Sequence, residues 1–263
     1  MALANDNYEK FKDDVFKLTK IDLSAYKEKQ MRRRIDSLVD KRGVKTYADY
    51  VKLLGSNREA FDEFVNFLTI NVSEFYRNPD QWELLVNTYL PELIDRFGKN
   101  LKIWSAACST GDEPYSLVMA LSKAIDINKI KIYATDIDKQ VIAQAKTGLY
   151  SAKSIAGVPD EYKKKFFTKV GQSYQISDQV KSRVEFHQAN LLRDKYPTNY
   201  HLIVCRNVLI YFTEEAKADV YKKFNDSLMN HGILFIGSTE QVMGYKDIGY
   251  TRRSSFFYEK DNQ

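Results

Sequence analysis

After Gly98 the chain alternates short runs rich in β-branched and aromatic residues with longer segments of helical periodicity, and this alternation restricts the fold more than any other feature. The predicted strands are Leu101 to Trp104, Ile130 to Ala134, Val184 to His187, His201 to Val204, Ile233 to Ile236 and Ser254 to Tyr258. Helical spacing occupies Pro114 to Ile125, Lys139 to Thr147 and Glu214 to Met229. Strands separated by helices imply an open, mostly parallel, Rossmann-like α/β sheet with helices on both faces. The interval 153–183 is too long for a plain connection. Its piece Phe166 to Ile176 alternates around Gly171, which predicts a small β-hairpin insertion.

The first part of the chain reads differently. Met31, Ile35 and Leu38, then Tyr47, Tyr50, Val51 and Leu54, fall at helical spacing, with Gly43 and Gly55 as helix stops. These residues predict a small all-helical domain over 1–79, a linker helix within 80–98 after the Asn78-Pro79 turn signal, and the sheet domain over 99–263. The net charge of +5 is concentrated at this end, because residues 1–53 carry 13 Lys and Arg against 9 Asp and Glu. A basic module suggests an acidic partner. Lys27, Arg34 and Lys41 recur every seven residues and form a candidate docking stripe, although a solvated face has the same pattern.

Other classes are excluded by what the chain lacks. No apolar run approaches the roughly 18 residues of a membrane span, and MALANDNYEK has no apolar signal core, so a cytoplasmic protein without membrane insertion is expected. Cys108 and Cys205 are widely separated, and the histidines at 187, 201 and 231 are scattered, so no metal site is expected. With 18 Tyr, 15 Phe and 2 Trp, there is ample material for filled cores.

Candidate chemistry gathers where predicted strands end, the edge at which open α/β sheets bind ligands. The first strand leads into Ser105-Ala-Ala-Cys-Ser-Thr-Gly111, followed by a helix opened by Asp112, Glu113 and Pro114. A dinucleotide site would need a glycine-rich turn that meets a pyrophosphate. Here there is one glycine, and two carboxylates stand where phosphates would go. That field favours a cationic ligand such as S-adenosylmethionine, unless Asp112 and Glu113 only complement the helix dipole. Asp136, 25 positions after Gly111, suits the acceptor of two ribose hydroxyls, and Asp138 suits a helix cap. Asn190, after the Val184 strand, is placed for an adenine edge. Asn207 and Tyr211, after the His201 strand, are placed to line a reaction pocket.

With these residues in place, the sequence resembles the chemotaxis receptor methyltransferases, the CheR family, over almost its whole length. The motifs are Thr69-Ile-Asn71-Val-Ser73-Glu-Phe-Tyr-Arg77, Trp104-Ser-Ala-Ala-Cys-Ser-Thr-Gly-Asp-Glu113-Pro-Tyr-Ser, Ala134-Thr-Asp136-Ile-Asp138, Asn190-Leu191 and Cys205-Arg-Asn207-Val-Leu-Ile-Tyr211-Phe. The resemblance implies methyl transfer from S-adenosylmethionine to glutamates of methyl-accepting chemotaxis receptors, with S-adenosylhomocysteine as product. It implies cofactor contacts by Asn71, Ser73, Arg77, Ala107, Glu113, Asp136, Asn190, Leu191, Arg206 and Asn207, with Arg77 and Tyr211 beside the methyl-transfer path. It also implies receptor docking through the basic helical domain and recruitment to membrane-bound receptor arrays. Members that tether to a receptor C-terminal pentapeptide carry a glycine-richer hairpin than Phe166 to Ile176, which has one glycine, so the pentapeptide-independent type is expected. Ser73 and Tyr76 stand where other members have Thr and Phe, which keeps a hydroxyl and an aromatic ring.

Two other functions compete. A nucleic-acid methylase acting on adenine usually needs a Pro-Pro-aromatic turn to stack a flipped base, and Arg206 to Tyr211 contains no proline, so no nucleic-acid partner is expected. A non-catalytic module that binds cofactor or product is the other, and the presence of both Arg77 and Tyr211 argues against it.

Overall fold

Helix α1 (Tyr8–Thr19) begins where the Asn7 side chain accepts the Lys10 N–H at 3.0 Å, and it ends where Lys20 turns left-handed. This computed structural model describes residues 7–69 and 73–262. Helices α2 (Glu28–Lys41), α3 (Tyr47–Ser56) and α4 (Arg58–Thr69) follow, the last two capped by Thr46 and Asn57. Phe11, Val15, Ile35, Tyr47, Tyr50 and Phe64 fill the core between them, with Phe11 stacked on Tyr47 at 4.5 Å. The helical unit also takes in a later segment, Tyr211–Lys217. There Tyr26 and Phe212 form an antiparallel bridge, flanked by Lys27 N–H to Tyr211 O and Thr213 N–H to Ala25 O, both 2.9 Å.

The second unit covers 73–210 and 218–262 of the described residues. The helical unit thus closes by 69, short of the expected boundary at 79, and Ser73 to Asn78 pack with the sheet. Helix α5 (Pro79–Leu84) runs through a π turn, Leu85–Tyr89, into α6 (Leu90–Phe97). The sequence predicts one regular helix here. Pro91 has no N–H and its ring crowds the preceding turn, so the backbone widens by one residue before it.

The sheet is built from β1 (Ile103–Ala106), β2 (Ile132–Asp136), β6 (Val184–Gln188), β7 (Tyr200–Cys205), β8 (Leu228–Ile236), β9 (Tyr250–Arg252) and β10 (Phe257–Lys260). Its order is β6-β2-β1-β7-β8-β10-β9, parallel from β6 to β8 and antiparallel at β10 and β9. Helices α7 (Asp112–Leu121), α8 (Lys139–Thr147) and α11 (Glu214–Ser227) follow β1, β2 and β7. The expected Rossmann-like sheet is therefore present, with shifted edges. Strand β8 starts at Leu228 instead of Ile233, β10 starts three residues later than predicted, and β9 was not predicted at all.

The insertion is larger than a hairpin. Strands β4 (Phe167–Val170) and β5 (Ser173–Ile176) pair around Gly171, and β3 (Leu149–Ser151), from outside the expected interval, adds to β5 to give a three-stranded sheet. A three-residue strand is too short to show periodicity. Short helices α9 (Asp160–Phe166), α10 (Asp178–Lys181) and α12 (Tyr245–Ile248) complete the unit. Among the described residues no helix is long and apolar enough to cross a membrane.

Candidate active site

The site is assembled from the loops that leave the carboxyl ends of β1, β2, β7 and β8. After β1 the backbone turns left-handed at Ala107 (φ 65°), Ser109 (φ 47°) and Gly111 (φ 91°). At Gly111 a side chain would strain the turn and force its neighbours to shift, since a Cβ would meet Ala145 Cβ at 2.9 Å and Tyr115 Cε2 at 3.0 Å. The loop is pinned from several sides. Cys108 N–H donates to Thr135 O (2.8 Å), Tyr150 OH to Thr110 O (2.7 Å), and Ser109 N–H to Asp136 Oδ2 (2.8 Å).

The two acids that open α7 part company. Asp112 is buried and accepts from Thr110 Oγ1 at 2.6 Å and from Ser73, with burial pushing its carboxyl above the ordinary range. Glu113 accepts from Ser105 Oγ at 2.8 Å, and burial lifts its pKa to about 7 against the opposing pull of Arg206. Both side chains turn inward from the helix end, Asp112 onto the loop at Thr110 and Glu113 onto Ser105 of β1. Asp136 ends β2 itself, and burial lifts its pKa to about 6 despite N–H donors from Asp138 and Ser109. Asp138 caps α8 through Gln140 N–H at 2.8 Å, as its position predicts.

Arg206 reaches backward. Its Nη2 donates to Arg77 O (2.7 Å), Asn78 Oδ1 (3.0 Å) and Gln81 Oε1 (3.2 Å), and its guanidinium lies over Phe235 at 4.7 Å. The left-handed turn at Tyr76 and Asn78 is held in this way, with Trp82 Nε1 donating to the same Arg77 carbonyl at 3.1 Å. Among the described residues the one ion pair of the Arg77 side chain is with Glu74, at 3.9 Å. At these strand ends Ser109 Oγ, Arg206 Nε and Asn207 Oδ1 are buried without a hydrogen-bond partner among the described residues. With a buried acid at the β2 terminus and an acid-lined loop in place of a phosphate cradle, the residues fit a ligand that brings hydroxyls and positive charge.

Residues 71–255 match the family of CheR methyltransferase SAM-binding domains, and residues 6–69 match the CheR methyltransferase all-alpha domain. The chain belongs to the CheR methyltransferase family. The chemotaxis protein methyltransferase of Listeria innocua is 39% identical over 240 residues, 91% of this chain and 92% of that protein. Similar proteins of Pseudomonas aeruginosa (chemotaxis protein methyltransferase 1) and Borreliella burgdorferi are 33% and 30% identical, over 94% and 96% of this chain and 94% and 99% of theirs. This CheR-family chain is thus an S-adenosylmethionine-dependent methyltransferase.

The remaining predicted residues are placed unevenly. Asn71 lies outside the described residues. Asn190 uses its Oδ1 to accept Leu192 N–H at 2.9 Å, and Leu191 is buried with its carbonyl bonded to Tyr196 OH. Tyr211 is half-buried in the helical unit. Of the candidate docking stripe, Lys27 is exposed, Lys41 pairs with Glu63 at 2.5 Å, and Arg34 is half-buried. Arg34 Nη2 donates to Phe67 O, and its guanidinium covers the Phe67 ring at 4.4 Å. At 3.6 residues per turn Arg34 lies only about 40° around the helix from Leu38, so it sits at the border of the apolar face and not on an open one.

Sequence reasoning missed Glu240. This buried carboxylate accepts Asn207 N–H (2.8 Å) and Gly237 N–H (2.7 Å) at Oε2, and Val208 N–H (3.0 Å) and Leu209 N–H (2.8 Å) at Oε1. A glycine followed three residues later by an acid after a predicted strand was the available signal, and it was too slight to read.

Proposed function

We propose that this enzyme methylates glutamate side chains of chemotaxis receptors, giving methyl esters and S-adenosylhomocysteine. The observation that carries the reading is the acid-lined loop closed on Asp136, in a chain of this family. Bound S-adenosylmethionine supplies a methyl group on a positively charged sulfur, which a carboxylate oxygen displaces. A glutamate is already anionic at neutral pH, so the protein needs no strong base. Its residues bind, orient and exclude water. Asp136 accepts ribose hydroxyls, and Ser73, Ala107, Glu113, Asn190, Leu191, Arg206 and Asn207 shape the rest of the cofactor site, with Asn71 supplying a further contact. Arg77 orients a carboxylate, and Tyr211 donates one hydrogen bond to aim the reacting oxygen. A stronger grip on that oxygen would blunt its nucleophilicity.

Incubation with radiolabelled S-adenosylmethionine and receptor membranes tests the reading. The label should appear on receptor and be released by mild alkali, as a methyl ester is. An alkali-stable label, or no transfer, contradicts the proposal. The single glycine of the β4–β5 hairpin supports the pentapeptide-independent type. Receptors lacking their last residues should therefore be methylated with an unchanged KM, and a large rise in KM on that truncation contradicts it.

Docking is assigned to the exposed basic residues at the start of and along α2, Lys27 just before the helix and Lys29, Arg33 and Lys41 within it, which attract acidic receptor helices through a salt-sensitive association rate. Arg34 belongs to the packing of the helical unit. Arg34→Glu should lower Tm by several degrees, because it sets a carboxylate against Phe67 and its carbonyl. The double variant Lys29→Glu, Arg33→Glu should keep its Tm and raise KM for receptor severalfold, with a flattened salt dependence. Normal receptor KM across a salt series removes α2 from the docking surface.

A further inference from the structure

Strands β7 and β8 are neighbours in register, with Cys205 opposite Ile236, so the segments that follow them leave the sheet side by side. The β8 segment makes a tight turn in which Glu240 N–H donates to Gly237 O at 3.1 Å. The turn returns the Glu240 carboxylate beneath the backbone of Asn207, Val208 and Leu209. Asn207 is left-handed (φ 60°), a conformation that side-chain-bearing residues adopt reluctantly. Gly237 lets the two segments meet. A Cβ there would lie 2.6 Å from Asn207 N and 2.8 Å from Asn207 Cγ.

Three consecutive N–H groups converging on one carboxylate form a compact anion nest, and here its occupant is part of the protein. Charge-assisted bonds of this kind are among the stronger ones available to a turn. The residue they hold, Asn207, carries a buried Oδ1 without a hydrogen-bond partner among the described residues.

We propose that Glu240 is a positioning residue of the methyl-transfer site, and that its carboxylate sets the left-handed turn that places Asn207 for the cofactor. The inference rests on the assignment of Asn207 to the cofactor site. Glu240 does not touch the reacting atoms; it acts through backbone donors. Gln at 240 would turn an NH₂ group toward donors, which replaces two attractive contacts with repulsive ones.

The test is calorimetric titration with S-adenosylhomocysteine, run well below Tm, beside steady-state kinetics and thermal melts. Wild type should bind and Asn207→Ala should bind weakly. If wild type does not bind, or Asn207→Ala binds normally, the underlying site assignment falls. Given that assignment, Glu240→Gln should raise Kd about ten- to a hundredfold, the size expected when buried donors lose a charged acceptor. It should lower kcat while leaving receptor KM unchanged, and Glu240→Asp should recover part of both losses. A folded Glu240→Gln protein with a lowered Tm but wild-type Kd and kcat makes Glu240 a staple of the fold and overturns the proposal. Gly237→Ala decides the matter if Glu240→Gln does not fold, since a Cβ there presses on both the Asn207 turn and Glu240 Oε2, at 2.6 and 2.7 Å, and so disturbs the contact between them without removing the charge. A raised Kd in that variant supports the proposal, and a wild-type Kd overturns it.

Discussion

Arg77→Ala should reduce methyl transfer about a hundredfold or more while leaving Tm almost unchanged. The two parts of Arg77 have separate duties. Its carbonyl accepts from Arg206 Nη2 and Trp82 Nε1, and these bonds hold the turn ahead of α5; both survive truncation of the side chain. Among the described residues the one ion pair of the guanidinium is the long contact with the exposed Glu74, which contributes little to stability. A side chain so loosely held, on a backbone so firmly held, is available to a carboxylate ligand. Single-turnover measurements with saturating cofactor separate loss of binding from loss of the chemical step. Near-normal turnover would remove Arg77 from the site, and a large fall in Tm would mean that the side chain has a structural duty not visible in its contacts.

Asp136→Ala should weaken cofactor binding by about 2–4 kcal/mol, from the loss of two charge-assisted hydrogen bonds to ribose hydroxyls. The same carboxylate accepts Ser109 N–H, so the alanine variant also loosens the loop after β1. Asp136→Asn keeps the shape and should lose less. A pH series isolates the charge. Burial raises the Asp136 pKa from 3.8 to about 6, so the proton is bound more tightly in the folded protein than in the unfolded chain. Its contribution to stability is therefore greatest below the unfolded value and is lost as pH rises through the folded one. Hydroxyl donors need the ionised form, so cofactor affinity should move the opposite way and fall as pH drops through about 6. Glu113, raised to about 7, titrates in an overlapping window, and the difference between wild type and Asp136→Asn gives the Asp136 share. Identical pH profiles for the two proteins would assign Asp136 to holding the loop and leave the ribose contact to another residue.

The parts of the site that were legible in advance are those set by local chemistry at strand ends. Ser105 to Gly111 reads as a ligand loop because small residues and one glycine permit left-handed turns, and the backbone adopts them at Ala107, Ser109 and Gly111. Asp136 reads as a strand-end acid because it follows an apolar run, and it does end β2. The docking stripe was less legible. Recurrence every seven residues placed Arg34 on a line with Lys27 and Lys41, but the same geometry set it beside Leu38 at the edge of the core. Periodicity gives the angle around a helix and not the depth of the neighbour that covers it. Phe67, on α4, provides that cover.

The sequence by itself determined the two-part organisation, the parallel sheet and the order of the ligand loops, because each depends on a repeat of apolar residues or on turn chemistry within a few positions. Only the tertiary structure decided which backbone groups the buried charges serve. Arg206 donates to a carbonyl 129 positions earlier, and Glu240 gathers N–H groups 31 to 33 positions earlier. Strand β3 likewise joins a sheet whose other strands lie beyond α9. The physical reason is common to all three. A buried charge or an unpaired strand edge must find partners wherever the fold has left polar groups unpaired, and that location follows from strand order and register, which no spacing along the chain records.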